Sequence, residues 1–555
     1  MHDDETPDVR PDDVSRRGFL KTGLTAGVAG LIASAPGGPL RAAVSSVPGV
    51  GSEELEEITI TALQEGMSSG TYTSRSIVEG YLARIAAIDR SGPALRSVIE
   101  INPEALVIAD ALDRERTEKG PRGPLHGIPV LLKDNIDTVD RMATTAGSLA
   151  LVGSRPPTDA FLVQQLRKAG AVILGKTNLS EWANIRSSRS TSGWSGRGGL
   201  TRNPYALDRN TSGSSSGSAV AVAANLCAVA VGTETDGSIV SPSSVNGIVG
   251  IKPTVGLVSR TGVIPISHTQ DTPGPMARTV RDAAALLAGL VGVDAEDGAT
   301  AAGRGKNVAD YTQALVPGGL TGARIGVVRK YFGFHPAVDE VMQGVLEVLK
   351  HEGAVLVDPV DIPTIGKFES DEYTVMLYEL KHDLKAYLDR VGATAQVRSL
   401  KDVIAFNEAH RQTEMVYFGQ EIFLKAEGMG PLTSKEYRTA LANCGRLSRR
   451  DGIDAVMNKH RLDALVAPTE SPAWVTDLVL SDHYIGGSST LAAVAGYPSI
   501  TVPAGFVFGL PVGVSFFGRA WTEARLITLA YGYEQATKVR RKPSYVPTVD
   551  VRSRT

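Results

Sequence analysis

Cysteine is scarce in this chain: 2 residues of 555, Cys227 and Cys444. This excludes a disulfide framework of the kind that holds small secreted domains together, although a single bridge between the two stays open. An excess of charge of one sign is also lacking, because the formal net charge is −3. That balance disfavours a nucleic-acid-binding protein, which would carry clustered Lys and Arg.

Long hydrophobic runs are lacking as well. The apolar run from Thr22 to Ala35 is too short for a stable transmembrane anchor, and no later run is long enough to cross a bilayer. No repeat of fixed period is found, so the sequence favours neither a solenoid nor a propeller. We therefore expect a globular enzyme or binding protein without a stable membrane anchor.

The N-terminal segment has the features of an export signal. Met1–Val14 is acidic, Ser15–Lys21 (SRRGFLK) matches the twin-arginine motif, and small residues suited to cleavage occur at Ala33–Ala35 and Ala42–Ala43. We expect residues 1–43 to be a flexible leader that engages the twin-arginine export machinery. The protein would then be bacterial and act in the periplasm or outside the cell. The alternative is a chance arginine pair before a buried helix.

The rest of the chain alternates strand-like and helix-like segments, which predicts an α/β layer structure with a largely buried sheet. The predicted strands include 97–101, 127–132, 171–174, 227–231, 324–328, 354–357, 464–466, 499–502 and 512–517. The predicted helices include 73–88 with Thr73 as N-cap, 103–118, 160–168, 218–226, 338–350 and 523–537. Residues 369–450 are mostly helical in pattern and are expected to form a cap or wall.

Two motif matches fail on their structural context. Gly170–Thr177 (GAVILGKT) fits the P-loop pattern, but its loop positions are strand-like and a helix, not a strand, precedes it. Gly213–Gly217 (GSSSG) fits the nucleophile elbow around Ser215, but a polar loop precedes it where an elbow needs a strand. We therefore favour neither nucleotide binding nor a Ser–His–Asp hydrolase, and we expect His126 to be structural.

The stretch from Thr211 to Thr254 contains two Gly/Ser loops around a small, apolar segment. A Gly-rich loop after a strand can turn several backbone N–H groups toward one point, because Gly tolerates positive φ. Such a loop suits the binding of a developing oxyanion. Ser214 lies in the first loop and Ser238 ends the second.

This stretch closely resembles the signature of the amidase signature enzymes, serine hydrolases that cleave carboxamides. Gly127–Asn135 (GIPVLLKDN) resembles the lysine motif of that family, and the resemblance runs from about residue 55 to 535. It implies a large, mixed, twisted β-sheet covered by helices on both faces. It also implies one amidase domain over 44–555, with a less family-like helical region about 365–455. Several phrases, such as GKTNLSEWAN and GTETDGSIV, resemble bacterial peptide amidases.

Carried over by position, the resemblance implies a Ser–cis-Ser–Lys triad without a metal or cofactor. Lys133 would be the base, Ser214 the bridging serine after a cis peptide bond, and Ser238 the nucleophile. A lysine acts as a base only when neutral, and burial can lower its pKa by roughly 3–5 units. Lys133 follows an apolar run, so its burial is expected. Without the resemblance, the simpler interpretation of Lys133 would be an ion pair with a carboxylate such as Asp134.

The backbone N–H groups of Thr235, Asp236, Gly237 and Ser238 are the expected oxyanion hole. Asp236 departs from the glycine common in the family, although peptide-amidase-like members share it. Its carboxylate would either alter the electrostatics of the site or point away into a hydrogen-bond network. Because the hole needs only backbone N–H groups, it can survive this change.

Three further residues are weaker candidates. Asp271 and Arg278, in another family-like segment, are expected to brace the active-site loops by an ion pair or hydrogen bonds; a direct substrate role is the alternative. Trp194, in a Gly/Ser/Arg-rich loop, could be exposed and line a substrate pocket, as could Trp182 and Trp474. Aromatic residues are more often core residues.

The preferred function is an exported amidase that removes ammonia from C-terminal peptide amides through an acyl-enzyme. One alternative keeps the chemistry and changes the substrate to small aryl, alkyl or other non-peptide amides. A second, of a different class, is a non-catalytic binding protein on an amidase scaffold. Side-chain specificity and oligomeric state stay open.

Overall fold

One mixed β-sheet of 11 strands forms the centre of the fold, in the order β1-β3-β2-β6-β8-β7-β12-β13-β11-β9-β10. A computed structural model describes residues 52–306 and 308–552, so the predicted export signal lies outside the described part. The strands are β1 Val98–Ile101, β2 Pro129–Lys133, β3 Val172–Thr177, β4 Trp194–Ser195, β5 Gly199–Leu200, β6 Val229–Glu234, β7 Val249–Lys252, β8 Thr272–Ala277, β9 Arg324–Val327, β10 Val355–Val357, β11 Ala464–Pro468, β12 Ser499–Val507 and β13 Leu510–Phe517. β4 and β5 form a separate ribbon.

Sixteen α-helices accompany the sheet in the described residues. They are α1 Ile60–Ser69, α2 Ser74–Arg84, α3 Ala105–Lys119, α4 Phe161–Lys168, α5 Ser216–Ala223, α6 Val240–Val245, α7 Val280–Leu290, α8 Pro336–His351, α9 Glu369–Val391, α10 Leu400–Ala409, α11 Arg411–Glu414, α12 Glu421–Glu427, α13 Lys435–Gly445, α14 Asp454–His460, α15 Ser489–Ala495 and α16 Glu523–Thr537. The expected fold, a large mixed sheet with helices on both faces, is confirmed.

The strands that carry the site are parallel and fully buried. β2 pairs in parallel with β3 on one side and β6 on the other. Every residue of these three strands is buried, which explains why their sequences read as continuous apolar runs. Parallel neighbours end at the same edge of a sheet, so Lys133 at the end of β2 lies close to Thr233 and Glu234 at the end of β6.

β8 was not predicted from the sequence, because its sequence TPGPMA contains Pro273 and Pro275. Proline lacks the N–H that a central strand donates. β8 nevertheless pairs antiparallel with β6 along its whole length. Its partner on the other side, β7, reaches only Met276 and Ala277, so the prolines lie where that side is not paired.

Helix α5 packs against the sheet through small side chains. All of its residues are buried. At Gly217 a Cβ would lie 2.3 Å from the Ser97 carbonyl oxygen and 2.5 Å from that of Asn178. The small residues expected here therefore let backbone meet backbone directly under the first Gly/Ser loop.

Residues 369–453 form the predicted helical region, which includes α9 to α13 and a π-helical turn at Arg446–Ile453. Its apolar side chains, such as Leu380, Leu384 and Phe423, pack with Trp182 in a cluster of their own. Among the described residues, no helix is both long and apolar enough to cross a membrane. Other side chains of the region, such as Val375 and Tyr437, pack with Leu465 of β11 and Phe517 of β13, so the region forms a cap on part of the sheet.

Several smaller questions from the sequence are answered by the structure. Cys227 and Cys444 are both free and buried, so they form no bridge. Lys176 of the rejected P-loop match lies on β3, where its Nζ donates to the Ile136 carbonyl at 2.6 Å.

Ser215 of the rejected nucleophile elbow follows a loop, and its hydroxyl forms hydrogen bonds with the backbone of Thr233. His126 is buried against the Leu112 carbonyl at 2.9 Å, which fits a structural role.

Replacing Gly217 by Ala should destabilise the protein by about 3 kcal/mol, because the added methyl group meets backbone that cannot move aside. Gly344→Ala is the matched control: it is also a helical glycine, but a Cβ there meets nothing within 4 Å. That change should stabilise by about 0.5–1 kcal/mol through helix propensity. Denaturant unfolding of both variants checks this, and equal stability of the two would contradict the packing described for α5.

Candidate active site

The predicted lysine and the first serine meet in the structure. Lys133 Nζ lies 2.8 Å from Ser214 Oγ and donates to the hydroxyl and carbonyl oxygens of Thr233 at 3.0 and 3.1 Å. Asn135 Nδ2 donates to the same Thr233 hydroxyl at 3.0 Å. The Lys133 side chain is fully buried, so its amine is held in one place by three oxygen atoms.

The surroundings of Lys133 favour its neutral form. Burial lowers its pKa from 10.5 to about 7, against the opposing attraction of Asp271 and Glu234. Neither carboxylate is in direct contact with the amine. The alternative prediction, an ion pair between Lys133 and Asp134, is not what the structure has. The Asp134 carboxylate forms its ion pair with Arg197, at 3.1 Å.

Ser214 and Ser238 are brought together by their backbones. The Gly213–Ser214 peptide bond is cis, and the next residue, Ser215, donates its amide to the Ser238 carbonyl at 3.2 Å. Ser215 in turn bonds Thr233 through its hydroxyl. Both serine segments are thereby joined to the end of β6, beside Lys133.

The loop after β6 presents backbone amides to the site. Gly237 has φ +77, a conformation that glycine adopts readily. Glu234 Oε2 accepts from the amides of Ile239 and Val240 at 2.8 and 3.0 Å, which closes the loop from behind. Within the described residues no protein acceptor takes the amides of Asp236, Gly237 or Ser238, so these can bind an oxyanion.

The Asp236 side chain is directed into a hydrogen-bond network. Its carboxylate accepts from Ser489 Oγ at 2.5 Å and Thr490 Oγ1 at 2.8 Å, at the start of α15. Burial raises its pKa, while these two hydroxyls lower it. The structure therefore favours the second alternative for Asp236: its carboxylate is held in a hydrogen-bond network in the wall of the site and is not free to act on a substrate.

Asp271 braces the oxyanion loop, as expected. Its carboxylate accepts from Thr235 Oγ1 at 2.5 Å and from the amides of Ile266 and Ser267 at 2.8 and 2.9 Å. Burial raises the pKa of Asp271 to about 6. It thus ties the segment before β8 to the first residue of the expected oxyanion hole.

Arg278 has a different place from the one expected. It follows the far end of β8, where its guanidinium donates to the carbonyls of Cys227 and Ile58 at 2.8 and 2.6 Å. β8 runs antiparallel to β6, with Thr272 opposite Glu234 and Ala277 opposite Val229. Asp271 and Arg278 therefore lie at opposite edges of the sheet, and Arg278 braces neither the active-site loops nor the substrate.

The site opens into a cavity of about 380 Å³. Its lining contains the loop 235–238, Ser212, Gly213 and residues from several other parts of the chain, including Ile266, Met376, Glu470, Trp474 and Tyr484. Trp474 is thus a lining residue. Trp194 is not: it is buried and packs edge-to-face on Tyr417 and Phe418, so the expected exposure of Trp194 is corrected.

Sequence reasoning missed Thr233, Glu470 and Tyr484 as site residues. Thr233 belongs to the apolar strand β6 and was assigned no role, although its position between Lys133 and Ser215 makes it central. Glu470 and Tyr484 lie more than 200 positions beyond Ser238. No local motif marks them, so only the folded chain brings them into the cavity.

One group of side chains in the described residues has the composition of a metal site. Ligand atoms of His268, Glu379 and Asp383 lie within 4.8 Å of one another. The Glu379 carboxylate already accepts from Ser267 Oγ at 2.5 Å and Tyr437 Oη at 2.7 Å, and His268 Nδ1 lies 2.8 Å from Asp383. These contacts attach the segment 266–271 to α9.

Comparison with known proteins agrees with this architecture. The Amidase family model matches residues 76–527. A probable amidase of Arabidopsis thaliana is 45% identical over 503 residues, which cover 89% of this chain and 92% of that protein. The native peptide amidase of Stenotrophomonas maltophilia is 52% identical with a TM-score of 0.84, covering 88% of this chain and 99% of its own. A peptide amidase solved with the competitive inhibitor chymostatin gives 53% identity and a TM-score of 0.86, covering 88% and 99%.

The mixed sheet and its two Gly/Ser loops define an enzyme of the amidase signature class. The chain belongs to the Amidase family, and it is an amidase, a hydrolase that acts on amide bonds.

Proposed function

We propose that the enzyme hydrolyses C-terminal peptide amides through an acyl-enzyme on Ser238. The contact of buried Lys133 with Ser214 carries the chemical part of the proposal. The peptide part is supported by the 52% identity to the Stenotrophomonas maltophilia peptide amidase over 88% of the chain.

In the first half-reaction, neutral Lys133 takes the hydroxyl proton of Ser214 while Ser214 takes that of Ser238. The Ser238 oxygen then bonds to the amide carbon, and the oxyanion is held by the amides of residues 236–238. Collapse of this intermediate breaks the C–N bond as a proton passes back through Ser214 to the nitrogen. Ammonia leaves, and the acyl group stays esterified to Ser238.

In the second half-reaction, water attacks the ester carbon and transfers a proton through the same relay to Lys133. The tetrahedral intermediate collapses, the ester bond to Ser238 breaks, and the proton returns to the serine oxygen. The products are a carboxylic acid and one ammonia per amide. Thr233 supports both steps, because its two oxygen atoms fix the lysine amine.

We also propose export by the twin-arginine route, on the basis of Ser15–Lys21 and the small residues at Ala33–Ala35 and Ala42–Ala43. The enzyme would then meet its amide substrates in the periplasm or outside the cell.

The proposed function is tested by ammonia release from a panel of amidated peptides and small aryl or alkyl amides. Peptide amides should have the highest kcat/KM values. Ser238→Ala and Lys133→Met should each lower kcat by at least about 10³-fold. Ser243→Ala is the control, because that buried hydroxyl has no hydrogen-bond partner in the part of the chain that the structure describes.

A fluorophosphonate should form an adduct on Ser238 in the folded protein. Preference for small amides in this panel would replace the peptide substrate with the non-peptide alternative. Absence of both turnover and adduct in folded protein would favour the binding-protein alternative.

The pH dependence follows from the lowered pKa of Lys133. The base works only when deprotonated, so kcat/KM should fall as pH drops through about 7 and reach a plateau above it. Asp271→Asn should move this acidic limb of the pH profile to lower pH, because the Asp271 charge raises the pKa of Lys133.

Asp282→Asn is the control for that shift. Asp282 is also buried with a pKa raised to about 6, but it does not act on Lys133. A limb that stays in place in both variants would contradict the assignment of Lys133 as the titrating base.

Export is tested by replacing Arg16 and Arg17 together with Lys in a bacterial host that has the twin-arginine pathway. The double variant should stay in the cytoplasm as active enzyme, because the motif is read through both arginines. Arg10→Lys, in the acidic leader, should leave export unchanged. Activity measured in separated periplasmic and cytoplasmic fractions gives the result, and export of the double variant would refute the proposal.

A further inference from the structure

Glu470 is a buried carboxyl group in the wall of the active-site cavity, and the mechanism gives it no role. It lies two residues after β11 and is 2% exposed. Ser212 Oγ donates to its Oε1 at 3.2 Å. Its other oxygen, Oε2, is buried without a hydrogen-bond partner among the described residues.

An unpartnered buried oxygen costs free energy unless something else satisfies it. Glu470 lines the cavity together with Ser212 and Ser241, so a substrate bound in the cavity can supply that partner. Ser212 lies two residues before Ser214, and Ser241 three after Ser238. Glu470 therefore lies beside both serine segments of the site.

The cavity lining contains carboxyl groups and no cationic side chain. Asp236, Glu470 and Asp482 line it, and among the described residues no Lys, Arg or His does. Asp236 is occupied by Ser489 and Thr490, and Asp482 accepts from the Ser192 amide and Trp474 Nε1 at 3.0 and 3.2 Å. Glu470 is the carboxyl group with an oxygen left for a ligand.

We propose that Glu470 Oε2 accepts a hydrogen bond from an amide N–H of the bound substrate and so acts as a specificity residue. This inference rests on the proposed function. The N–H belongs either to the scissile carboxamide or to the backbone of the residue that carries it. Both are the same chemistry, a neutral N–H donor next to the reacting carbon.

The protonation state of Glu470 is compatible with this role. Burial raises its pKa to about 8, while the hydrogen bond from Ser212 and the nearby Ser241 hydroxyl favour the carboxylate. A carboxylate accepts at Oε2 directly. If the group is protonated, a proton on Oε1 can be shared with the Ser212 hydroxyl, which leaves Oε2 as the acceptor.

The test pairs enzyme variants with substrate analogues. The parent substrate is an N-acetylated dipeptide amide. One analogue is its N,N-dimethylamide, and the other carries a methyl group on the backbone nitrogen of the last residue. The first removes both N–H donors of the scissile carboxamide and the second removes the backbone N–H, so the pair shows which nitrogen Glu470 contacts.

Wild-type enzyme should prefer the parent over one of the analogues by about 10- to 100-fold in kcat/KM. Glu470→Gln, which keeps the size, and Glu470→Ala should lower kcat/KM for the parent by a similar factor and change that analogue little. The preference ratio then falls toward 1. Glu534→Gln changes a half-buried carboxyl group that accepts from the Val280 amide at 2.7 Å, and it should leave the ratio unchanged.

An unchanged ratio in both Glu470 variants would overturn the inference, as would an equal loss on all three substrates, which indicates a structural role. Failure of the proposed function looks different: wild-type enzyme would then turn over small amides and none of the peptides. In that case the same comparison with a small primary amide and its N,N-dimethylamide decides the role of Glu470.

Discussion

The burial of one amine next to two hydroxyl groups is the constraint on which the site depends. Lys133 would prefer to be charged in water, and the fold surrounds it with apolar strands and oxygen atoms that accept its hydrogens. The desolvation that lowers its pKa to about 7 is a cost to the folded state, because the unfolded chain would hold that proton up to about pH 10. The sheet supplies the rigidity that keeps the amine in place despite this cost.

The arrangement follows from strand direction. Because β2 and β6 are parallel and adjacent, a lysine at the end of one and a threonine at the end of the other meet without any loop having to reach across. The first serine loop lies at the same edge, because it directly precedes α5, and α5 leads into β6. The side chains of Lys133, Thr233 and Ser214 thus come from two neighbouring strands and the loop before α5, and all three are buried.

Much of this could be predicted from the sequence, and the exceptions have physical causes. Buried parallel strands read as apolar runs, and the helix 523–537 was placed at its observed limits, because local pattern decides such elements. β8 escaped prediction, since its prolines argue against a strand while tertiary pairing imposes one. The resemblance of the lysine motif 127–135 and of the two Gly/Ser loops predicts Lys133, Ser214 and Ser238 as one site, and the structure brings Lys133 and Ser214 into contact. Arg278 lies elsewhere than expected, because the sequence does not show at which end of a strand a side chain lies.

The residues of the cavity wall show the same difference between what local sequence pattern decides and what tertiary packing decides. Trp194 sits in a polar loop and looked exposed, but Phe418 and Tyr417 of the cap cover it. Glu470 is remote in sequence from both serines, and its contact with Ser212 spans 258 positions. Contacts of this kind are set by the packing of distant segments, so no local sequence pattern predicts them.

The cap has a further consequence for how such an enzyme can change. Of the residues that line the cavity, Met376 alone comes from the helical region 369–453. The reacting groups belong to the sheet body, which the cap touches without supplying a proton donor or acceptor to them. Insertions or substitutions in the cap can therefore reshape the approach of the acyl chain and leave the proton relay as it is, provided that they spare the α9 side chains that hold the segment 266–271. Substrate range and bond-breaking can then diverge independently over evolutionary time.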